Sequence, residues 1–143
     1  MKRLLLDINI VLDVLLDREP YVQASAAVWN AVENGLVQGL LSAHALTTIH
    51  YLIRKELGDA FARRAIAELL QVFDVAPIDG GVILKATRIP SEDFEDSVTA
   101  AAAAKARCFA IVTRDPAGFK KAGVRALTPE SAASLWRANG KPR

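Results

Sequence analysis

Three aspartates with a shared relation to the predicted strands are the residues best suited to do chemistry. Asp7 closes an apolar run that predicts a buried strand at residues 3–7, and Asp115 lies two residues past a second such run, residues 109–113. Asp96 lies at the start of an alanine-rich helix that leads into this second strand. A helix antiparallel to the strands presents its N-terminus at their carboxyl edge, where ligands bind in such folds. We therefore expect all three carboxylates at one cleft.

A cluster of carboxylates of this kind predicts a metal site. Like charges a few ångströms apart raise one another's pKa unless a cation neutralises them. Mg²⁺ or Mn²⁺ prefers oxygen ligands and retains several waters, activates a water nucleophile and stabilises in-line displacement at phosphorus. Asp7, Asp96 and Asp115 are therefore candidate catalytic and metal-binding residues for phosphodiester or phosphoryl chemistry.

Each of these acids also has an ordinary structural explanation. Asp7 could cap the helix that follows it, and Asp115 precedes Pro116 in a common turn dipeptide. The acidic residues at 92–96 could form a solvated turn, with Asp93 as a helix cap and the others favoured by the helix dipole. The coincidence of three acids at the same predicted edge favours the site.

Strands and helices alternate along the chain. Strands are predicted at residues 3–7, 39–42, 72–75, 109–113 and 124–127, and helices lie between them and from Pro129 to about Asn139. Continuous apolar strands between helices indicate an α/β fold, a three-layer α/β/α sandwich with a central parallel sheet of four to five strands. We expect one domain, residues 1–139, and a frayed tail, residues 140–143. In the helix at 21–33, one apolar side is predicted from Val22, Ala26, Trp29 and Val32.

Length and composition exclude several classes of protein. The 143 residues suit one domain, and a hydrophobic content of 52% argues against intrinsic disorder. A single cysteine, Cys108, excludes an internal disulfide framework and a cysteine-rich zinc site. The basic N-terminus resembles the start of a signal peptide, but Asp7 and Asp13 interrupt its apolar part, and no run approaches the ~18 apolar residues of a membrane span. We therefore expect a soluble, cytoplasmic protein.

Three short motifs in a fixed order resemble the PIN domain. They are residues 4–13 (LLLDINIVLD), residues 93–96 (DFED) followed by the alanine run, and residues 111–115 (IVTRD). The resemblance covers nearly the whole chain. Together with residues 18–20 (REP) and 51–55 (YLIRK), the DFED form is similar to one bacterial PIN subfamily.

The resemblance implies a metal-dependent nuclease, usually an endoribonuclease for single-stranded RNA. In bacteria such a protein is often the VapC-type toxin of a type II toxin–antitoxin pair. By matching position, Asp7, Asp96 and Asp115 would bind Mg²⁺ or Mn²⁺, while Asn9 and Thr113 would orient these acids by hydrogen bonds. The resemblance also implies a homodimer and a small antitoxin that blocks the cleft.

One position departs from the family pattern. PIN nucleases usually carry a glutamate early in the helix after the second strand, where this chain has Thr48. Asp93 or Glu95 could replace it, and Asp93 shares a helix face with Asp96 by its three-residue spacing. His44 could also reach the cleft. Alternatively, a second metal is weakly held and activity is low or absent.

Two other functions are compatible with these residues. The first is a non-catalytic binding module with the same fold, which Thr48 keeps open. The second is a phosphoryl-transfer enzyme of the haloacid dehalogenase or response-regulator kind, which also places an aspartate at the end of its first strand. Against the second, Asn9 stands where the dehalogenases keep another aspartate, and no convincing catalytic lysine follows a later strand.

Charge is unevenly distributed along the chain. Residues 1–104 carry 9 Lys+Arg and 14 Asp+Glu, a net charge of −5, whereas residues 105–143 carry 9 and 2, a net charge of +7. RNA needs a cationic surface because phosphate contacts supply most sequence-independent affinity. The candidates are Arg114, Lys120, Lys121 and Arg125, which we expect beside or beyond the Asp115 end of the sheet.

Overall fold

The computed structural model of the chain describes residues 1–137 and contains a five-stranded sheet. All pairings are parallel, and the strand order is β3-β2-β1-β4-β5. The strands are β1 (Arg3–Leu6), β2 (Gln38–Ser42), β3 (Asp74–Ala76), β4 (Ala110–Val112) and β5 (Ala126–Leu127). The predicted parallel sheet is confirmed, at the upper end of the predicted strand count.

Helices cover both faces of the sheet. They are α1 (Ile8–Leu15), α2 (Val22–Glu33), α3 (Ala43–Leu57), α4 (Asp59–Val72), α5 (Gly80–Ala86), α6 (Phe94–Lys105) and α7 (Pro129–Leu135), with a short 3₁₀ helix at Pro116–Phe119. Strand side chains alternate between the faces: Leu4 and Leu6 pack with α1 to α4 and α7, and Leu5 packs with α5 and α6. The predicted α/β/α sandwich is therefore confirmed.

The alanine-rich helix packs closely against the sheet. Four consecutive residues, Ala100 to Ala103, are all essentially inaccessible to solvent. They lie in one apolar cluster with Leu5 and Ile111 of the two central strands. Alanine favours the helix and its methyl group keeps the helix axis close to the sheet. This close packing positions the first turn of α6 at the carboxyl edge.

Gly39 of β2 occupies a position where a side chain has no room. A Cβ there would lie 2.7 Å from the Phe73 ring and 2.8 Å from Cγ2 of Val32. Phe73 is itself buried and makes an edge-to-face contact with Trp29, at 5.1 Å between ring centres. The glycine therefore lets an aromatic ring lie directly on the strand.

The buried face of α2 differs from the prediction. Its buried residues are Ser25, Val28, Ala31 and Val32, whereas Val22, Ala26 and Trp29 are half-buried. Hydropathy alone does not place a serine in a core, and Ser25 is buried because its hydroxyl donates to the Asp13 carboxylate.

Other element boundaries shift by one or two residues. Helix α2 begins at Val22, one residue after the predicted start, and β3 begins at Asp74, two residues after the predicted start. The predicted end of the last helix near Asn139 and the predicted tail lie outside the described residues. Within residues 1–137, no helix has the length and apolar character needed to cross a membrane.

Candidate active site

Asp7 follows β1 at the carboxyl edge of the sheet, and both of its carboxylate oxygens accept hydrogen bonds. Its Oδ1 accepts a 2.9 Å hydrogen bond from the backbone N–H of Ile8, which caps α1, and its Oδ2 accepts one of 2.9 Å from the hydroxyl of Thr113. Burial raises the pKa of Asp7, and the hydrogen bond from Thr113 opposes this increase. The helix-capping role and the predicted place in the cleft therefore occur together in one residue.

Thr113 connects two of the predicted acids. It follows β4, whose Val112 is in register with Leu6 of β1, so Thr113 and Asp7 leave neighbouring strands side by side. The buried Thr113 hydroxyl donates to Asp7 and accepts a 3.1 Å hydrogen bond from the backbone N–H of Asp115. By this geometry Thr113 can orient Asp7, which is the role that the family resemblance implies for it.

Asp96 lies in the first turn of α6 and is surrounded by negative charge. The pKa of Asp96 is raised to about 6. Burial is the largest cause, and the negative charges of four carboxylates add to it in decreasing order: Asp7, Asp93, Asp115 and Glu95. The other two predicted metal ligands are thus among the charges that act on it. Clustered carboxylates that disfavour one another's ionisation are the arrangement that a cation stabilises.

Gly118 marks a point on which two of the carboxylates converge. A Cβ built at Gly118, in the 3₁₀ helix, would lie 3.4 Å from Oδ2 of Asp115 and 3.6 Å from Oδ2 of Asp96. Carboxylate oxygens from α6 and from the residue before the 3₁₀ helix therefore both lie close to Gly118, which has no side chain to separate them.

The chemistry of this donor set fits a hard divalent cation. Among the described residues, no three His, Cys, Asp or Glu side chains are grouped closely enough to enclose an ion. Mg²⁺ is usually bound by one or two carboxylates and keeps several waters, rather than being enclosed by protein ligands. The approach of Asp96 and Asp115 beside Gly118, with Asp7 near them, is compatible with this kind of site.

Asp93 and Glu95 occupy different positions relative to the cleft. Asp93 is the N-cap of α6 and accepts a 2.9 Å hydrogen bond from the backbone N–H of Glu95, so its predicted capping role is confirmed. Its charge also raises the pKa values of Asp7 and Asp96. Both side chains are exposed, but Glu95 has the smallest influence of the acids acting on Asp96. Asp93 is therefore the better placed of the two to add to the site.

His44 contacts the helix that carries Asp96. His44 is in the first turn of α3, and its Nε2 lies 3.5 Å from Oγ1 of Thr99, one turn after Glu95 on α6. Thr48 is half-buried on the same face of α3, one turn farther from the strand end. At the start of α3, a histidine thus occupies the part of the helix nearest to the acids.

The predicted basic residues do not form one surface. Arg114 lies between Thr113 and Asp115 and lowers the pKa of Asp7. Lys120 and Lys121 are exposed directly after the 3₁₀ helix. Arg125 precedes β5 and stacks on Phe109, which precedes β4, at 4.1 Å from the ring centre. Because β4 and β5 are parallel, Arg125 lies at the amino edge, and its predicted position beside the Asp115 end is wrong.

Two further residues near the cleft were not recognised from the sequence. Arg18 donates a 3.2 Å hydrogen bond to the side-chain oxygen of Asn9, so Asn9 is paired with an arginine in this structure. Asp13 is completely buried and contacts both Arg18 and Arg114. The available signal was a carboxylate flanked by apolar residues of α1, six positions after Asp7.

Comparison with known proteins identifies the family and the fold. The family model of the PIN domain matches residues 3–117, which include all three aspartates. No curated protein shows a significant match to the sequence.

Several solved structures share the fold at low sequence identity. FitAcB from Neisseria gonorrhoeae is 21% identical with a TM-score of 0.72, and the match covers 88% of this chain and 97% of that one. A toxin–antitoxin complex from Klebsiella pneumoniae is 20% identical with a TM-score of 0.65, covering 87% and 96%. VapC20 from Mycobacterium tuberculosis, a sarcin–ricin loop cleaving toxin, is 16% identical with a TM-score of 0.62, covering 76% and 86%.

Proposed function

The chain belongs to the PIN domain family, and we propose that it is a metal-dependent endoribonuclease that cleaves single-stranded RNA. The observation that carries this proposal is the convergence of Asp96 and Asp115 beside Gly118, with Asp7 held next to them by Thr113. Their common position at the carboxyl edge of a parallel sheet is where ligands of such folds bind.

Each acid has a defined role in the proposed site. Asp96 and Asp115, whose Oδ2 atoms both lie near Gly118, would supply oxygen ligands to Mg²⁺ or Mn²⁺. Asp7 would act beside them, its orientation set by the Thr113 hydroxyl and the Ile8 backbone N–H. Asp93 would add negative charge from the N-cap of α6. When bound, the cation supplies Lewis acidity, lowering the pKa of water and stabilising charge that develops at phosphorus.

The proposed reaction is tested with purified protein and a labelled single-stranded RNA. We expect cleavage with Mg²⁺ or Mn²⁺, none with excess EDTA, and recovery when the metal is restored. The same sequence as duplex RNA and as single-stranded DNA distinguishes the substrate classes. Absence of cleavage with either metal at millimolar concentration would refute the proposal.

A non-catalytic binding module is the alternative that the structure keeps open, because Thr48 replaces the usual glutamate. A calorimetric titration with Mn²⁺ distinguishes the two functions. A carboxylate cluster that binds no Mn²⁺ or Mg²⁺ at millimolar concentration would support the module. The phosphoryl-transfer alternative has less support, since the family match is to the PIN domain. The strand order 3-2-1-4-5 also differs from the 2-1-3-4-5 order of response regulators, and Asn9 stands where the dehalogenases keep a second aspartate.

The biological role proposed is that of a toxin in a type II toxin–antitoxin pair. The support is the fold shared with a protein described as a toxin and with a toxin–antitoxin complex. Expected partners are single-stranded RNA, a small antitoxin that covers the cleft, and a second copy of the chain. Induced expression should arrest bacterial growth, and Asp96→Asn should relieve the arrest. Normal growth at high expression of the wild-type chain would contradict the toxin role.

A further inference from the structure

The buried carboxylate of Asp13 is the strongest charged feature outside the acidic cleft. Asp13 lies on α1, is 0% exposed, and is surrounded by apolar residues of the same helix, including Ile10, Val11 and Leu12. Burying a carboxylate is unfavourable unless it is paired with opposite charge and hydrogen-bonded. The contacts of Asp13 therefore show what this residue holds in place.

Asp13 is contacted by three polar side chains from three parts of the chain. Its Oδ2 accepts a 3.0 Å hydrogen bond from the Ser25 hydroxyl and lies 3.5 Å from Nε of Arg114. Its Oδ1 lies 3.8 Å from Nη1 of Arg18, and its backbone carbonyl accepts a 3.0 Å hydrogen bond from the Arg18 backbone N–H. One buried carboxylate thus lies within ion-pair distance of two arginines, without a hydrogen bond to either guanidinium group.

Both arginines keep part of their guanidinium groups at the surface. The Arg114 side chain is 27% exposed and the Arg18 side chain is 34% exposed. Arg114 stacks on the ring of Tyr21, with its Cζ 3.9 Å from the ring centre, and Arg18 donates to Asn9. Two guanidinium groups and one carboxylate leave one net positive charge. This charge adjoins Asp7. Asn9, the partner of Arg18, is two residues after Asp7, and Arg114 directly follows Thr113, which donates a hydrogen bond to Asp7.

We propose that Arg18 and Arg114 form a phosphate-binding pair for single-stranded RNA beside the acidic cleft, and that Asp13 is the residue that positions them. This inference rests on the proposed function, and it adds the surface that holds the RNA backbone. Arginine suits the role because its planar guanidinium binds phosphate through two hydrogen bonds at once. Stacking on Tyr21 and the link to Asp13 restrict the side chains before RNA arrives, which reduces the entropy lost on binding.

Binding is measured by fluorescence anisotropy with a labelled single-stranded oligouridylate. All proteins carry Asp7→Asn, which prevents cleavage. We expect Arg18→Gln and Arg114→Gln each to weaken binding by about fivefold to tenfold. The logarithm of the association constant falls linearly with the logarithm of the salt concentration. Each variant should make this slope shallower by about 0.7, the value for one phosphate contact on a single strand. Arg63→Gln is the matched control, since Arg63 is exposed and pairs with Asp59 within α4.

Asp13→Asn tests the positioning role by the sign of its effect. The substitution removes a negative charge, so a residue without a positioning role would leave RNA binding unchanged or tighten it. A positioning residue would weaken binding although the net charge becomes more favourable. Thermal unfolding checks that the variant folds. If it does not fold, Arg18→Lys and Arg114→Lys replace it, because they keep the charge and lose the planar guanidinium, and we expect both to bind more weakly.

The outcomes separate this inference from the proposed function. Wild-type binding by both Arg→Gln variants, by both Arg→Lys variants, or by a folded Asp13→Asn variant would overturn the inference. Cleavage by the wild-type protein would still support the nuclease in that case. Conversely, arginine-dependent RNA binding by a protein that never cuts RNA with Mg²⁺ or Mn²⁺ would support the inference and refute the nuclease.

Discussion

The Thr113 hydroxyl donates a 2.9 Å hydrogen bond to Oδ2 of Asp7 across 106 positions of sequence. The same hydroxyl accepts a hydrogen bond from the backbone of Asp115, so one buried side chain links the ends of two neighbouring strands. The alignment of β1 with β4 brings these groups together. Orientation of Asp7 is therefore a property of the sheet and not of a flexible loop.

Thr113→Val should reduce RNA cleavage while the protein remains folded. Valine keeps the shape of threonine but removes the hydrogen bond that orients Asp7, and loss of such outer partners typically costs about 10–100-fold in metal affinity or activity. Leaving the Asp7 oxygen and the Asp115 N–H without this partner should also lower the free energy of unfolding by about 1–3 kcal/mol. Cleavage rates and urea denaturation measure the two effects. Thr113→Ser, which keeps the hydroxyl, is the control, and equal activity of the two variants would contradict the role.

Asp96→Asn should stabilise the metal-free protein at neutral pH. The pKa of Asp96 is raised to about 6 from 3.8, so the folded protein binds this proton more tightly than the unfolded chain. The ionised carboxylate therefore destabilises the fold fully above pH 6, and this effect fades as the pH falls towards 4. Because the group is partly exposed, solvent screening limits the gain to about 1 kcal/mol or less.

Thermal unfolding in EDTA at several pH values measures this difference between wild type and Asp96→Asn. We expect the variant to be the more stable protein at pH 7 and the two to converge near pH 4. Added Mn²⁺ should stabilise the wild type and not the variant. A variant that is less stable than wild type at pH 7 in EDTA would be inconsistent with repulsion among these acids.

Gly118→Ala should weaken Mn²⁺ binding while the protein remains folded. The added methyl group would touch the Oδ2 atoms of Asp115 and Asp96, at 3.4 and 3.6 Å, and would take space beside both oxygens that an ion and its waters would need. Calorimetric titration with Mn²⁺ measures the effect. Gly80→Ala is the control because a Cβ there would meet nothing within 4 Å. If both variants bind Mn²⁺ like the wild type, the ion does not lie beside Gly118.

Gly39→Ala should destabilise the fold. Its methyl group would approach the buried Phe73 ring to 2.7 Å and Val32 to 2.8 Å, and overpacking of this kind typically costs about 1–3 kcal/mol. Chemical denaturation measures the loss. A double variant, Gly39→Ala with Phe73→Leu, should recover part of it, because the smaller side chain makes room for the methyl group. No recovery would indicate that the contact with Phe73 is not the cause.

The fold and the places of Asp7, Asp96 and Asp115 could be predicted because they follow from local signals. Apolar runs define the strands, and parallel topology brings their carboxyl ends to one edge. The link of Asp13 to Ser25 and Arg114 could not be predicted, since it depends on how α1, α2 and the end of β4 pack together. The predicted position of Arg125 is wrong because the chain between Asp115 and Arg125 returns from the carboxyl edge of the sheet to the amino edge.

Cleavage of single-stranded RNA by wild type and Asp7→Asn, with Mn²⁺ at the same protein concentration, tests the proposed site most directly. Asp59→Asn is the matched control, because it makes the same chemical change at an exposed residue that pairs with Arg63. We expect wild type and Asp59→Asn to cut the RNA at similar rates and Asp7→Asn to leave it intact. Cleavage by Asp7→Asn at the wild-type rate would contradict the account.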